Sequence, residues 1–246
     1  MKLKRLRRQI DSIDEKIVRL LSSRARLSSR IGSLKLKSGL GVYSPDRERE
    51  VLRKIRMLNK GPLNAAALEA IYREVMSSSL SLSKALKIAY LGPQATFTHL
   101  AAIKRFGSQV GYMPCNSISD VFVEVEKSSA DYGVVPIENS IEGAVSHTMD
   151  MLVDSDLKIC AQVILCVSHN LLSNSPKHRI KRVYSNPQVF GQCRVWLQEH
   201  LPAAEKIDVF STTQAAQMAA REKNCACIAS LLAAKTYGLK VVAKDI

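Results

Sequence analysis

Residues 3–34 place apolar side chains at Leu3, Leu6, Ile10, Ile13, Ile17, Leu20, Leu27, Ile31 and Leu34, in steps that alternate three and four. This is a heptad seam, and it dictates one long helix that needs a facing partner along its length. One slot, between Leu20 and Leu27, holds Arg24 instead of an apolar residue. A charge on a seam meant for burial must be paired, must neutralise, or must await an anion.

Helical signals continue to about residue 84. The first helix ends near Gly39-Leu40-Gly41, where two glycines break the pattern. Ser44-Pro45-Asp46-Arg47-Glu48 reads as a helix start, with Ser44 as N-cap, Pro45 at the first position and acids in the first turn. That helix runs to about Asn59, Gly61-Pro62 interrupts it, and a third spans about Asn64 to Lys84. Three helices of such unequal length make a poor isolated bundle. The first would expose half its seam, so the expected state is a homodimer.

From Leu86 the texture changes to short apolar runs alternating with helices, the pattern of an α/β domain. Lys87–Leu91, Tyr132–Ile137, Ile159–Val167, Arg182–Ser185, Ile207–Phe210 and Ala226–Ala229 read as strands. Helices fill 98–106, 118–128, 143–153, 188–200, 212–222 and 230–237, and the run 159–167 marks a crossing between two subdomains. A length of 246 residues accommodates such a division.

Charge is divided as unevenly as texture. Residues 1–85 hold 20 Lys and Arg against 8 Asp and Glu, whereas residues 86–246 hold 16 against 14. Such a balance fits nucleic acid, an anionic small molecule or a solvated basic face. Arg5, Arg8, Arg19 and Arg26 belong to a solvated face; Arg24, on the seam, does not. Aromatic residues make up 5% of the chain and do not interleave the basic ones, which disfavours nucleic acid. Nothing resembles a transmembrane span or the apolar core of a signal peptide, so a cytoplasmic protein without a membrane partner is expected. Six cysteines without CxxC spacing read as reduced, buried thiols. Five histidines show no ligand spacing, so neither a metal nor a cofactor is expected.

Arg24 and Lys35 are eleven residues apart, three helical turns, and share a face. Arg7 lies seventeen residues before Arg24 and points away from it, so it would reach such a pocket only from a second subunit. Ser79 and Ser83, four apart, share a face of the third helix, while Arg47 and Glu48 open the second. The series Leu6-Arg7, Ile13-Asp14-Glu15-Lys16, Leu20-Leu21, Arg24, Ile31-Gly32, Lys35 and Asp46-Arg47-Glu48-Arg49 resembles the all-helical AroQ-type chorismate mutases over residues 1–84.

The resemblance implies an intertwined helical dimer that converts chorismate to prephenate. That reaction is an intramolecular rearrangement in which an enzyme supplies conformation and electrostatics, with no nucleophile or proton transfer. By the same resemblance, Arg7 and Arg24 grip the two carboxylates, Lys35 donates to the ether oxygen and Glu48 accepts the ring hydroxyl. Arg47, Ser44 and Ser79 complete the polar wall. Lys35, Arg24 and Glu48 are then the catalytic groups, a preorganised donor being worth roughly 3–4 kcal/mol in the transition state. Ser83 stands where many members carry glutamine or glutamate, and Ser44 where some carry aspartate; the shorter Ser83 implies a slower mutase.

The second half carries Tyr90-Leu91-Gly92-Pro93-Gln94-Ala95-Thr96-Phe97-Thr98, Gly133-Val134-Val135-Pro136-Ile137-Glu138-Asn139-Ser140-Ile141-Glu142-Gly143, and Tyr184-Ser185-Asn186-Pro187-Gln188 with Gln192-Cys193. Each is a strand end that runs into a polar turn and a helix start, where open α/β sheets bind ligands. These runs resemble the prephenate dehydratases, whose α/β domain is two-lobed and of the type 2 periplasmic-binding-protein kind. The resemblance implies a pocket lined by Asn139, Ser140, Ser185 and Gln192, with Glu138 and Thr96 beside it. There prephenate would lose water and carbon dioxide to give phenylpyruvate.

Ala95 replaces a family glycine and Asn186 a family histidine. The family's Thr-Arg-Phe run, whose threonine donates the proton, would fall shortly after Asp245-Ile246, with a phenylalanine-binding ACT domain beyond it. The whole resembles the bifunctional chorismate mutase–prephenate dehydratase family of phenylalanine biosynthesis, with a mutase domain at 1–85 and a dehydratase domain at 86–246. The expectation is a C-terminally incomplete dehydratase domain of little activity. The alternatives are a mutase fused to a non-catalytic module for an aromatic ligand and, more remotely, a basic helical nucleic-acid-binding protein.

Overall fold

The computed structural model describes residues 2–140 and 143–246, so Ile141 and Glu142 of the second motif lie outside the described residues. α1 (Lys2–Lys37) is one unbroken helix, stopped by Gly39 at φ +68°, the left-handed conformation glycine reaches without strain. α2 (Pro45–Leu58) and α3 (Ala65–Ser83) follow. The Asn64 side chain caps α3 by accepting from the Ala67 N–H at 2.8 Å. Ser44 occupies the N-cap position of α2, but its side chain makes no capping bond. Pro45 brings no N–H to the first turn, and Asp46 and Glu48 meet the helix's positive end instead.

The three helices pack without covering the seam. Gly32 is the only buried residue described in α1, and its seam residues stay between 47% (Ile17) and 70% (Leu20) exposed. Where α1 meets α3 the approach is very close. A Cβ on Gly32 would lie 2.4 Å from the Ser83 hydroxyl oxygen, so only glycine fits.

The α/β part has two lobes. The first is a parallel sheet of order β2-β1-β3, built from β1 (Lys87–Leu91), β2 (Gly111–Cys115) and β3 (Tyr132–Val134), with α4 (Phe97–Phe106) and α5 (Ile118–Glu126) as crossovers. A small hairpin of β4 (Glu138–Asn139) and β5 (Gly143–Ala144) leads to α6 (Ser146–Asp154). The second lobe is a five-stranded mixed sheet of order β10-β6-β9-β7-β8. Its strands are β6 (Asn170–Ser173), β7 (Arg182–Ser185), β8 (Glu205–Asp208), β9 (Cys225–Ala229) and β10 (Lys240–Ala243), joined by α7 (Pro187–Gln192), α8 (Arg194–His200), α9 (Thr212–Arg221) and α10 (Leu231–Tyr237).

β9 forms the spine of the second lobe, with all five residues buried. Cys225, Cys227 and Ala229 face the small residues Ala215, Ala216 and Ala219 of α9, while Ala226 and Ile228 face Phe190 and Leu197. That alternation is the period of a strand covered on both faces. The first lobe instead shares its core with the helical part: Tyr43, from the α1–α2 connection, is buried among Leu86, Ile88, Tyr90 and Phe106.

Several expectations are corrected. Ile159–Val167 forms no strand; among the described residues no neighbour pairs with it, and Ile159 and Ile164 are exposed. An apolar β-branched run becomes a strand only where another strand takes its backbone groups. The strand expected at 207–210 lies two residues earlier, and the helix expected at 188–200 divides at Cys193. β2, β4, β5, β6 and β10 were not anticipated, and β5 occupies the start of the helix expected at 143–153. β2 contains Pro114, which an edge strand tolerates. Four of the six thiols are buried as expected, whereas Cys160 and Cys166 are exposed on the unpaired run. Burial pushes the Cys193 thiol up to about 11 and raises that of Cys227 as well, so both stay protonated.

Candidate active sites

Arg24 turns from the seam onto α3. Its guanidinium donates to the Ser79 hydroxyl at 2.8 Å and reaches the Val75 carbonyl at 3.5 Å. Ser79 is buried and donates in turn to Val75 O at 2.7 Å. Among the described residues no carboxylate pairs with Arg24, so its charge is held by neutral oxygens and remains available to an anion. Further along the same α1–α3 contact, Ser83 lies against Gly32 and its hydroxyl donates to Ser79 O at 3.4 Å. Lys35, half-buried at the end of α1, donates to the Val42 carbonyl at 3.2 Å.

Two members of the expected clamp stand elsewhere. Arg47 is exposed and bonded to Glu50 at 2.5 Å, one turn along its own helix. Lys54 and Arg47 together hold the Glu50 carboxyl down at about 2, so Arg47 serves a surface pair in this structure. Arg7 is exposed on α1; seventeen residues of helix separate it from Arg24, about 25 Å at 1.5 Å per residue. No rotamer brings these two arginines onto one ligand within a protomer.

Glu48 is buried, and both of its partners lie on one oxygen. The Tyr43 hydroxyl donates to Oε2 at 3.0 Å, and Arg105 Nη2 stands 3.6 Å from the same atom. The Arg105 guanidinium lies 5.6 Å from the Tyr43 ring centroid, a cation over an aromatic face. Burial first, and then the Glu48 charge, raise the Tyr43 phenol well above its ordinary value. Neither Tyr43 nor Arg105 was singled out in the sequence. Their partnership spans the helical and α/β parts, and no local pattern announces it.

In the α/β part, Thr96 caps α4. Its hydroxyl accepts from the His99 N–H at 3.3 Å and donates to Leu91 O at 3.3 Å. The preceding loop is held by the second lobe: Thr213 donates to Gln94 O and Ser230 to Ala95 O, both at 3.2 Å. Ala95 adopts φ +70°, a left-handed conformation that explains why glycine suits this position. Ser185 is fully buried, and its hydroxyl donates to Ile228 O at 3.1 Å. Asn186 caps α7. Glu138 and Asn139 form β4 and Ser140 follows, all three exposed.

Gln192 Oε1 meets His169 Nε2 at 2.5 Å, and the Phe97 ring stands edge-on to His169 at 5.8 Å. The structure thus joins the start of α4 to Gln192 through Phe97 and His169, whose buried Nδ1 has no partner among the described residues. His169 was another omission, because a lone histidine beside a strand carries no spacing signal. A separate cavity of about 300 Å³ opens among Tyr90, Gln94, His99 and Tyr112. His99 stacks on Tyr90 at 4.5 Å and accepts from the Ala95 N–H through Nδ1. Burial lowers its pKa and keeps the ring neutral. No group of three or more His, Cys, Asp or Glu among the described residues could hold a metal ion, and no helix is long and apolar enough to cross a membrane.

Residues 6–84 match a family model described as chorismate mutase type II, and residues 88–246 one described as prephenate dehydratase. A bifunctional chorismate mutase/prephenate dehydratase from Aquifex aeolicus is 48% identical over 249 residues, covering 99% of this chain and 69% of that protein. Its counterpart from Pseudomonas aeruginosa is 44% identical over 244 residues, covering 96% and 67%. Among solved structures, prephenate dehydratase from Arthrobacter aurescens in complex with L-Phe is 32% identical with a TM-score of 0.60, covering 65% of this chain and 55% of that one. Prephenate dehydratase from Staphylococcus aureus is 29% identical with a TM-score of 0.57, covering 65% and 61%.

Proposed function

Because the chain belongs to the family of bifunctional chorismate mutase/prephenate dehydratases, we propose that residues 1–85 rearrange chorismate to prephenate and that residues 86–246 form the domain that receives prephenate. The observation that carries the mutase reading is Arg24, a guanidinium on an apolar seam that faces a buried serine and, among the described residues, no carboxylate. Such a cation is a preformed seat for one substrate carboxylate, which a bidentate guanidinium fits well.

In the rearrangement one C–O bond breaks as one C–C bond forms, and no proton moves. Holding the reactive conformer and stabilising charge at the ether oxygen is therefore the whole task. Lys35, at the end of the same helix face, exchanges the Val42 carbonyl for that oxygen, with Ser83 beside it through a water. Glu48 accepts the ring hydroxyl, and Ser44 and Ser79 complete the wall, with Arg47 joining it when it releases Glu50.

The second substrate carboxylate needs another cation, and Arg7 is about 25 Å from Arg24 along α1. A homodimer that packs the exposed seam of one protomer on that of the other supplies it, with Arg7 crossing into the partner's site. The same contact would cover the apolar stripe that α1 leaves open. Six unpaired cysteines support a reducing, cytoplasmic setting.

In the α/β part the proposed pocket lies where the β1–α4 loop meets the second lobe, with Thr96 at the start of α4, Ser185 at the end of β7 and Gln192 at the end of α7, and with Glu138, Asn139 and Ser140 of the hairpin segment. The Thr96 and Ser185 hydroxyls are committed to backbone carbonyls. We therefore propose that a polypeptide of these 246 residues makes little phenylpyruvate. The second reading, an α/β module that holds an aromatic ligand without turning it over, draws on the same two hydroxyls. Following chorismate loss and phenylpyruvate formation in parallel tests both parts. Chorismate loss without phenylpyruvate is the expected result, robust phenylpyruvate overturns the dehydratase part, and stable chorismate overturns the mutase part.

A further inference from the structure

We infer that Arg105, on α4 of the α/β part, is a positioning residue for Glu48 of the mutase site, so that one substrate-binding group of the helical part is oriented by the other half of the chain. The inference rests on the reading of Glu48 as the acceptor of the substrate hydroxyl. A carboxylate that must accept one bond at a fixed angle needs its torsion held, and a glutamate side chain has three torsions to hold. Within the helical part Glu48 finds only the neutral Tyr43 hydroxyl. The cation beside it comes from Arg105.

Both partners engage Oε2, while no hydrogen bond or ion pair among the described residues engages Oε1. That division leaves one oxygen anchored and the other presented to a ligand. The anchor is itself well held. The Arg105 side chain is 17% exposed and its guanidinium lies over the Tyr43 ring. The Tyr43 ring packs at 5.1 Å from Phe106 and 5.2 Å from Tyr132, both in the first lobe.

The end of α4 is pinned on α3. Glu74 accepts from the Ser108 N–H at 3.2 Å and from its hydroxyl at 2.5 Å, and the Ser77 hydroxyl accepts from the Gln109 N–H at 3.1 Å. Between them Gly107, at φ +77°, passes so close that a Cβ would lie 2.5 Å from that of Ser77. Arg105 is thus fixed relative to Glu48 through two independent docks.

The ring hydroxyl is not among the atoms whose bonds change. Its bond to Glu48 is made alike in the ground and transition states, so weakening it raises KM more than it lowers kcat. Arg105→Met keeps the apolar stem over Tyr43 and removes every donor. In the full chain it should raise the chorismate KM about 10-fold, with kcat changed less than about twofold. Arg105→Lys, which restores a point charge, should bring KM back to within about threefold of the parent. In a Glu48→Ala background, Arg105→Met should add less than about twofold, because the two residues act as one unit.

An unchanged KM in Arg105→Met, with Glu48→Ala strongly impaired, overturns the inference and leaves the mutase site intact. An undiminished Arg105→Met effect in the Glu48→Ala background assigns Arg105 a merely structural role and also overturns it. Parent-like kinetics of Glu48→Ala alone overturn the reading of Glu48, and the inference with it. Should Arg105→Met fail to fold, the lysine variant and its combination with Glu48→Ala carry the same comparison.

Discussion

Along α1 the nine apolar side chains of the seam lie about half exposed or more, whereas all five residues of β9 are buried between two layers of helix. Both segments carry apolar side chains, but they meet their partners differently. β9 finds α8 and α9 within its own lobe, and the second lobe closes its core with its own residues apart from Ala95 of the β1–α4 loop. α1 meets α3 where Arg24 bonds Ser79 and Gly32 lies against Ser83, and the rest of its apolar stripe points outward. On the proposed reading a second protomer covers this stripe and brings Arg7 to the site.

The largest expected difference between the two regions comes from placing a charge on the seam. Ile13→Glu would bury an unpaired carboxylate on each side of the dimer, costing about 4 kcal/mol or more and weakening association by roughly 1,000-fold. Chorismate turnover should fall with it, while the near-ultraviolet signature of the second lobe persists. A dimer that survives this change on light scattering would break the comparison.

Next in size is Ile228→Ala in β9, which should cost about 3 kcal/mol of stability through the cavity it leaves and should not alter the oligomeric state. Denaturant unfolding of the α/β part reads the first quantity and light scattering the second. Ala95→Gly should do least. Relieving φ +70° gains about 1 kcal/mol, and losing a buried methyl costs about 0.8 kcal/mol, so melting should reveal a net change within about 0.5 kcal/mol. A larger change of either sign would mean that the β1–α4 loop is held differently from what its bonds to Thr213 and Ser230 imply.

The helices were legible in the sequence wherever periodicity and end signals coincided, as at Pro45 and Asn64. Strands were legible at Lys87–Leu91, Arg182–Ser185 and Ala226–Ala229, where a short run with an apolar centre leads into a turn signal. β6 begins with Asn170 and ends with Ser173, both buried and both donating to carbonyls of β9, so its polarity hid a core strand. Ile159–Val167 misled in the opposite direction, since composition cannot supply a pairing partner. In the candidate sites, Arg24 was visible because it violated a repeat. Arg47 looked available although Glu50, three residues on, was placed to claim it. Tyr43, Arg105 and His169 acquire their roles from contacts between distant parts of the chain, which a linear reading does not carry.

The central claim is that Arg24 of one protomer and Arg7 of the other hold one substrate. Mixing two inactive variants, Arg7→Ala and Arg24→Ala, tests it most directly. Each homodimer lacks one arginine in both sites, but a mixed dimer keeps both arginines in one site and loses both in the other. Random reassortment should therefore restore about a quarter of the parent chorismate turnover. Mixed dimers that form and remain inactive would contradict the account.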